Sequence, residues 1–294
     1  MRTTTETPSP SKPSPSKPSP SKPTTSKPSP SKPTPSKSPH SAPLDNGIPA
    51  TKCSAATVKA LASGAAAVVG VDPDVAVGIA VISRDDPKCT ATYNAEETFP
   101  TASVVKLLIA IDVLRARRND ADTTERVEHM LAVSDDSIAS MLWADHGAGD
   151  IIISTKSLIN LPSLSPPASP EFWGWTRIDA IDVARIWRYI LDEAPSYVRT
   201  PILVGTGGAK ETAADGFDQY FGIPDGLRHA TWWIKQGWGT SNGRRVVNTT
   251  GIVGKHKDSI VVMLTSHPLE VGYPEATDSV TRGIAALAGA VGEA

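Results

Sequence analysis

The sequence predicts an α+β protein of three layers, an α/β/α sandwich whose antiparallel sheet is split along the chain by an all-helical subdomain. Three observations carry that expectation. Asp74–Ser83 alternates, with Val75, Val77, Ile79 and Val81 on one face, as a half-buried strand does. Three more strand patterns, Trp232–Gly237, Arg245–Gly251 and Ser259–Ser266, arrive only near the C-terminus. Between them lie segments with apolar residues at helical spacing, and one helix precedes the first strand while another closes the chain. Helices are thus available to cover both faces of one sheet.

Composition bounds the rest. The chain has 294 residues, 39% of them hydrophobic, enough for one large domain or two small ones. Residues 1–43 repeat a Ser-Lys-Pro-Ser/Thr-Pro unit, whose proline density favours extended polyproline backbone and offers nothing apolar to bury. They are expected to form a disordered spacer, either a wall-spanning stalk or a plain solvated linker, ahead of a folded domain at 44–294. The first 50 residues carry six lysines and Arg2 against Glu6 and Asp45, a balance of +5. Since the whole chain sums to −2, the remainder stands at −7, with no basic stripe for nucleic acid. No apolar run approaches the ~20 residues that span a bilayer, and the N-terminus lacks the apolar core of a secretory signal.

The elements follow in order. Residues 53–69 form an Ala-rich helix, Asp85-Asp86-Pro87 turns the chain after the first strand, and Cys89–Asn94 returns as a shorter strand. Cys53 and Cys89 are too few and too far apart for a zinc site. They either pair, tying the first helix to the first hairpin in an oxidising compartment, or remain separate thiols. Phe99–Leu114 opens with Pro-Thr-Ala and runs into a helix beginning near Ser103. Thr123–Val133 is a second helix of the block, and Ser134-Asp135-Asp136-Ser137 resembles the N-cap of a third, over Ile138–Trp143. Asp150–Asn160 is another short helix. Four prolines make 161–175 a loop of the kind that borders sites. Thr176 is expected to cap a helix reaching Glu193, a glycine-rich stretch follows, and Glu275–Val291 closes the chain.

The helix after Phe99 carries the chemistry. From Val104 to Leu114 its only polar residues are Lys106 and Asp112, the pattern of a buried helix. A buried lysine is costly as an ammonium, and its lowered pKa suits it to accept a proton. Ser103 lies three residues earlier, on the same helix face, at the N-terminal end where free N–H groups favour developing negative charge. The bare Ser-x-x-Lys spacing is weak, since it recurs at Ser9/Lys12 and Ser14/Lys17 in the tail. Helical context distinguishes Ser103.

Three elements in order, Ser103-Val-Val-Lys106, Ser134-Asp-Asp136 and Lys235-Gln-Gly237, resemble the motif set of the penicillin-recognising serine hydrolases, with the β-lactamase/transpeptidase-like fold of class A β-lactamases. The resemblance covers about residues 50–294. It implies that Ser103 is the acylated nucleophile and that Lys106 accepts its proton or holds a base water. It also implies that Ser134 relays a proton to the leaving group, and that Lys235 supplies positive charge for Ser134 and for a substrate carboxylate. The backbone N–H groups of Ser103 and Trp238 would form the oxyanion hole, with Asp136, Gln236 and Gly237 lining the substrate side. Three departures stand out. Asp136 replaces a family asparagine, exchanging an amide donor for an acceptor-only carboxylate. Gln236 replaces a hydroxyl residue. The loop before Thr176 lacks the family's deacylating glutamate motif, with Glu171 the one candidate.

The six histidines are dispersed without metal spacing, so no metal or cofactor is expected. Trp173, Trp175, Trp232, Trp233 and Trp238 either shape a substrate pocket or serve as core and rim aromatics. The expected function is serine acyl transfer on β-lactams or peptidoglycan-like amides, by a monomer that is secreted or wall-associated. The alternatives are a wall peptidase or esterase indifferent to β-lactams, and a catalytically silent wall-binding module.

Overall fold

The computed structural model describes residues 53–84 and 89–291. The expected tail at 1–43, the domain start at Leu44 and the Asp85-Asp86-Pro87 turn lie outside those residues. Ser54 caps α1 (Ala55–Val69), its hydroxyl accepting from the Thr57 N–H at 3.1 Å. β1 (Ala76–Ser83) pairs antiparallel with β2 (Thr90–Tyr93), and a Cys53–Cys89 disulfide links the start of α1 to the start of β2. β3 (Phe99–Pro100) leads through a 3-10 turn at Ala102–Val105 into α2 (Lys106–Ala116). α3 (Ala121–Ala132), α4 (Asp136–Asp145) and α5 (Gly149–Ile159) complete the helical block. After the proline-bearing loop, β4 (Arg177–Ile178) pairs with β3. Then come α6 (Ala180–Asp192), α7 (Ser196–Gly207) and the single turn α8 (Ile223–Gly226). β5 (Trp232–Ile234), β6 (Gly237–Ser241), β7 (Arg244–Val253), β8 (Ser259–Pro268) and α9 (Tyr273–Ala286) finish the chain.

The main sheet runs β2-β1-β8-β7, with β5 and β6 pairing successively along β7, every pair antiparallel. One face packs on α1 and α9 through Leu61, Val68, Val280 and Ile284. The other packs on the helical block, with Ile252, Val262 and Leu264 meeting residues of α2 and α6. This is the three-layer β-lactamase/transpeptidase-like architecture. Because α2 is enclosed by α3, α4, α5 and α7 as well as by the sheet side, every residue from Lys106 to Ile111 is buried. That enclosure is the reason the helix is apolar nearly all round.

Several expectations are corrected. β1 is buried on both faces from Val77 to Val81, because helices cover both sides of a central strand. Thr176 caps nothing. Asp179 caps α6, accepting from the Asp182 N–H at 2.7 Å, while residues 177–178 form β4. The stretch after Glu193, read only as glycine-rich, holds a helix, since α7 runs through Pro201 to Gly207. At Gly205 a β-carbon would sit 2.8 Å from the Glu128 carbonyl oxygen of α3, so that glycine serves close helix packing. The closing helix ends at Ala286 and gives way to a 3-10 turn at Ala288–Ala290.

Candidate active site

The nucleophile segment is held from both sides. β3 is fastened to β4, and the Thr101 N–H donates to the Thr176 carbonyl at 2.8 Å. From the sheet, the fully buried Asn248 of β7 donates through Nδ2 to the Pro100 and Thr101 carbonyls at 2.9 and 3.2 Å. Its Oδ1 accepts from the Thr265 N–H of β8 at 3.0 Å. Ala102 then takes φ +43°, a strained value for an L residue, and turns the chain into the 3-10 start of the helix. Ser103 therefore stands in the first turn, with the Lys106 ammonium one turn on.

Lys106 is fully buried, and its Nζ donates to Ser103 Oγ at 2.8 Å, to the Ser134 carbonyl at 2.8 Å and to Ser134 Oγ at 3.1 Å. Asp136 Oδ1 is 2.5 Å away as an ion-pair partner, although the Asp136 side chain is 67% exposed. Burial lowers the Lys106 pKa from the ordinary lysine value, with the Asp136 carboxylate opposing that shift. Ser134 Oγ lies between two lysines, since Lys235 Nζ donates to it at 3.0 Å and to the Gln236 carbonyl at 3.0 Å. Burial first, and then repulsion from Lys106, pushes the Lys235 pKa well below its usual value. One buried chain thus runs Ser103 Oγ, Lys106 Nζ, Ser134 Oγ, Lys235 Nζ.

Ser134 reaches that position otherwise than expected. Asp135 is the N-cap of α4, accepting from the Ile138 N–H at 2.9 Å. Ser134 precedes the cap in the left-handed region at φ +54°, which frees its hydroxyl for the lysines. Asp136 opens the helix on the cleft side.

Gln236 is the clearest correction. Its side chain is fully buried, with Nε2 donating to the Phe221 carbonyl at 2.5 Å and Oε1 accepting from the Thr250 N–H at 3.3 Å. It stands in for a main-chain partner of β7 between β5 and β6, which explains why the expected Trp232–Gly237 strand divides there. The amide is turned into the core and does not face the cleft. Gly237, paired opposite Asn248, carries no side chain for a physical reason: a β-carbon would lie 2.6 Å from the Thr101 carbonyl oxygen. That close approach brings β6 and Trp238 against the Ser103 turn.

Glu171 lines the cleft with Phe172, Trp173 and Trp175, but it is exposed. Hydrogen bonds with its own backbone and the Ser169 hydroxyl hold its carboxyl below the usual range. Its carboxylate makes no hydrogen bond or ion pair with Ser103 or Lys106. The tryptophans divide: Trp173, Trp175 and Trp238 border the cleft, whereas Trp232 packs edge-on against Tyr220 and Trp233 lies under Lys257. Trp238 stacks on Phe217 with centroids 4.8 Å apart and donates from Nε1 to Asp215 Oδ2 at 2.9 Å.

Sequence reasoning missed Asn248 as a support, since it sits between Val246-Val247 and Thr249-Thr250 with nothing local to mark it. It also missed the Asp136–Lys106 ion pair and the Asp215–Phe217 wall, which no spacing announces. Among the described residues no cluster of His, Cys, Asp and Glu could hold a metal, and no helix is long and apolar enough to cross a membrane.

Comparison with known proteins bears on the fold. A family model described as a β-lactamase enzyme family matches residues 60–130. Proteins of Mycobacterium bovis and Mycobacterium tuberculosis that bear the lipoprotein name LppW are 30% identical over 210 residues, 68% of this chain. The chain spans 66% of the length of those relatives. A β-lactamase from Streptosporangium roseum has a TM-score of 0.64 at 20% identity, covering 82% of this chain and all of that one. A class A β-lactamase from Bacteroides cellulosilyticus has a TM-score of 0.61 at 15% identity, with 80% and 96% covered. The structure of PBP-A scores 0.61 at 17% identity, with 80% and 95% covered. The fold is that of the β-lactamases and of PBP-A, and the family model falls on the segment that carries Ser103 and Lys106.

Proposed function

We propose that the protein is a serine acyl-transfer hydrolase that works through Ser103 on amides or esters of β-lactam or peptidoglycan-like type. The observation that carries this is the buried chain from Ser103 Oγ through Lys106 and Ser134 to Lys235, with contacts of 2.8, 3.1 and 3.0 Å. A neutral Lys106, favoured by burial, would take the Ser103 proton as Oγ attacks the carbonyl carbon. Ser134 would pass that proton to the leaving group, its hydroxyl oriented by Lys235. The N–H groups of Ser103 and Trp238 would receive the oxyanion, an arrangement worth ~3–4 kcal/mol per donor in comparable sites.

Deacylation is the weak step in this reading. Glu171 has no contact that would aim a water at the acyl carbon, so the ester is expected to persist. The inward turn of Gln236 favours a second reading within the same chemistry, a peptidase or esterase that does not turn over β-lactams. A place in the cell envelope is proposed on two grounds: a disulfide suits an oxidising compartment, and the mycobacterial relatives bear a lipoprotein name. Residues 1–43 would then act as a spacer.

The test is intact mass of the full chain after incubation with penicillin G or a neutral p-nitrophenyl ester, with Ser103→Ala alongside. An adduct on the native chain and none on Ser103→Ala supports acyl transfer. Release of product without a lasting adduct supports the hydrolase but assigns efficient deacylation. Neither adduct nor product with any reagent refutes the proposal.

A further inference from the structure

We propose that the cleft beside Ser103 selects acyl donors bearing a positive charge, such as an amide or ester with a free ammonium group, and disfavours donors bearing a carboxylate. The inference rests on the acyl-transfer reading and specifies its substrate class.

The charge on the walls is one-sided. The lobe between the Trp173 turn and β6, about 260 Å³, is lined by Asp136 and Glu171; the adjoining lobe is lined by Asp136 and Asp215. All three carboxylates are exposed. Among the described lining residues of both lobes there is no lysine, arginine or histidine. The two lysines beneath the cleft are fully buried, Lys106 bonded to Ser103, Ser134 and Asp136, and Lys235 to Ser134 and the Gln236 carbonyl.

The arginines near the cleft are turned elsewhere. Arg244 bonds Ser266 and the Asp74 carbonyl, Arg245 bonds the Val271 and Leu269 carbonyls while stacking on Tyr273, and Arg177 bonds Thr98. Gln236, where the family resemblance places a hydroxyl for a substrate carboxylate, is spent inside the core. A carboxylate entering this cleft would meet like charge and no free cationic side chain among those residues.

Asp215 is also held in place, which separates it from a merely solvated acid. Its Oδ2 accepts from Trp238 Nε1 at 2.9 Å and its Oδ1 from the Phe217 N–H at 3.0 Å. The ring stack of Phe217 on Trp238, with Tyr273 edge-on at 5.2 Å, fixes that wall. Aromatic faces beside a carboxylate suit an ammonium, which both attract. Opposite them, Phe172 and Trp175 stack with centroids 4.2 Å apart.

In the reaction the Ser103 Oγ–C bond forms and the bond from the acyl carbon to its leaving group breaks. The Oγ proton leaves with that group, and water later returns the free acid and the serine hydroxyl. The charge on the acyl chain takes no part in this exchange, so it can be varied alone.

The experiment compares three p-nitrophenyl esters of equal chain length ending in an ammonium, a methyl or a carboxylate group, on the full chain, with Ser103→Ala as blank. The ammonium ester is expected to acylate Ser103 at least about tenfold faster than the methyl ester, and the carboxylate ester about tenfold slower. Both gaps should shrink in 1 M salt, where the Debye length falls to about 3 Å. Asp215→Asn together with Glu171→Gln should narrow the ammonium-to-carboxylate ratio. A carboxylate ester reacting as fast as the ammonium ester, or a ratio untouched by the double variant, overturns the inference while leaving acyl transfer standing. Absence of Ser103-dependent release from the methyl ester as well overturns the acyl-transfer reading, and this inference with it.

Discussion

Asn248→Ala tests how the sheet holds the nucleophile. The Asn248 side chain satisfies three main-chain groups, the Pro100 and Thr101 carbonyls and the Thr265 N–H, at 2.9, 3.2 and 3.0 Å. It is fully buried in β7, where those groups have little access to water. A hydrogen bond contributes ~1 kcal/mol net, and a buried group left unpaired costs ~1–3 kcal/mol. Losing three at once is expected to cost about 3–5 kcal/mol, a large share of the ~5–15 kcal/mol that stabilises a typical domain. Released from Asn248, residues 100–101 should also let the strained Ala102 relax and move Ser103 Oγ away from Lys106. The assay is urea unfolding of the full chain, paired with the rate of Ser103 acylation by the neutral ester. A variant within 1 kcal/mol of the native chain that acylates at the native rate would refute the reasoning.

Three further outcomes are expected. Asp136→Asn removes the carboxylate that raises the Lys106 pKa, so the acidic limb of the acylation pH profile should move to lower pH; a move upward would contradict Lys106 as proton acceptor. His267 is buried, and burial together with Arg244 and Arg245 lowers its pKa to about 4 from 6.5. Its folded form resists protonation, so stability is full above pH 6.5 and falls by up to about 3 kcal/mol as pH drops to 4. Urea unfolding at pH 7 and pH 4 should show that loss in the native chain and a smaller one in His267→Gln. The disulfide closes a 36-residue separation, for which chain entropy predicts about 4 kcal/mol. Cys53→Ala with Cys89→Ala should lower the unfolding midpoint accordingly, and an unchanged midpoint would remove the disulfide from the stability account.

Much of this protein was legible along the chain. The period-two alternation over residues 74–83, the late strands and the helical middle are local patterns, and local patterns follow from which faces are buried. The helix of Ser103 and Lys106 could be read for the same reason: a lysine within an apolar run on every side has nowhere to go but inside. Serine and lysine one turn apart must then meet, because helix geometry alone brings them together.

The tertiary structure decided whatever depends on partners distant in sequence. Ser134 arrives between Lys106 and Lys235, 28 and 101 residues away, through a left-handed residue ahead of a cap that belongs to Asp135. Gln236 looked like a substrate contact by motif position, yet its amide is consumed by Phe221 and Thr250 across a break between strands. α7 was hidden because its glycines answer to close packing against α3 and Trp233, which composition cannot distinguish from a turn. The charge of the cleft is of the same kind. Asp136, Glu171 and Asp215 are 35 to 79 positions apart in sequence, and only the packing of α4, the proline-bearing loop and the Asp215 segment against β6 around Ser103 makes them one surface.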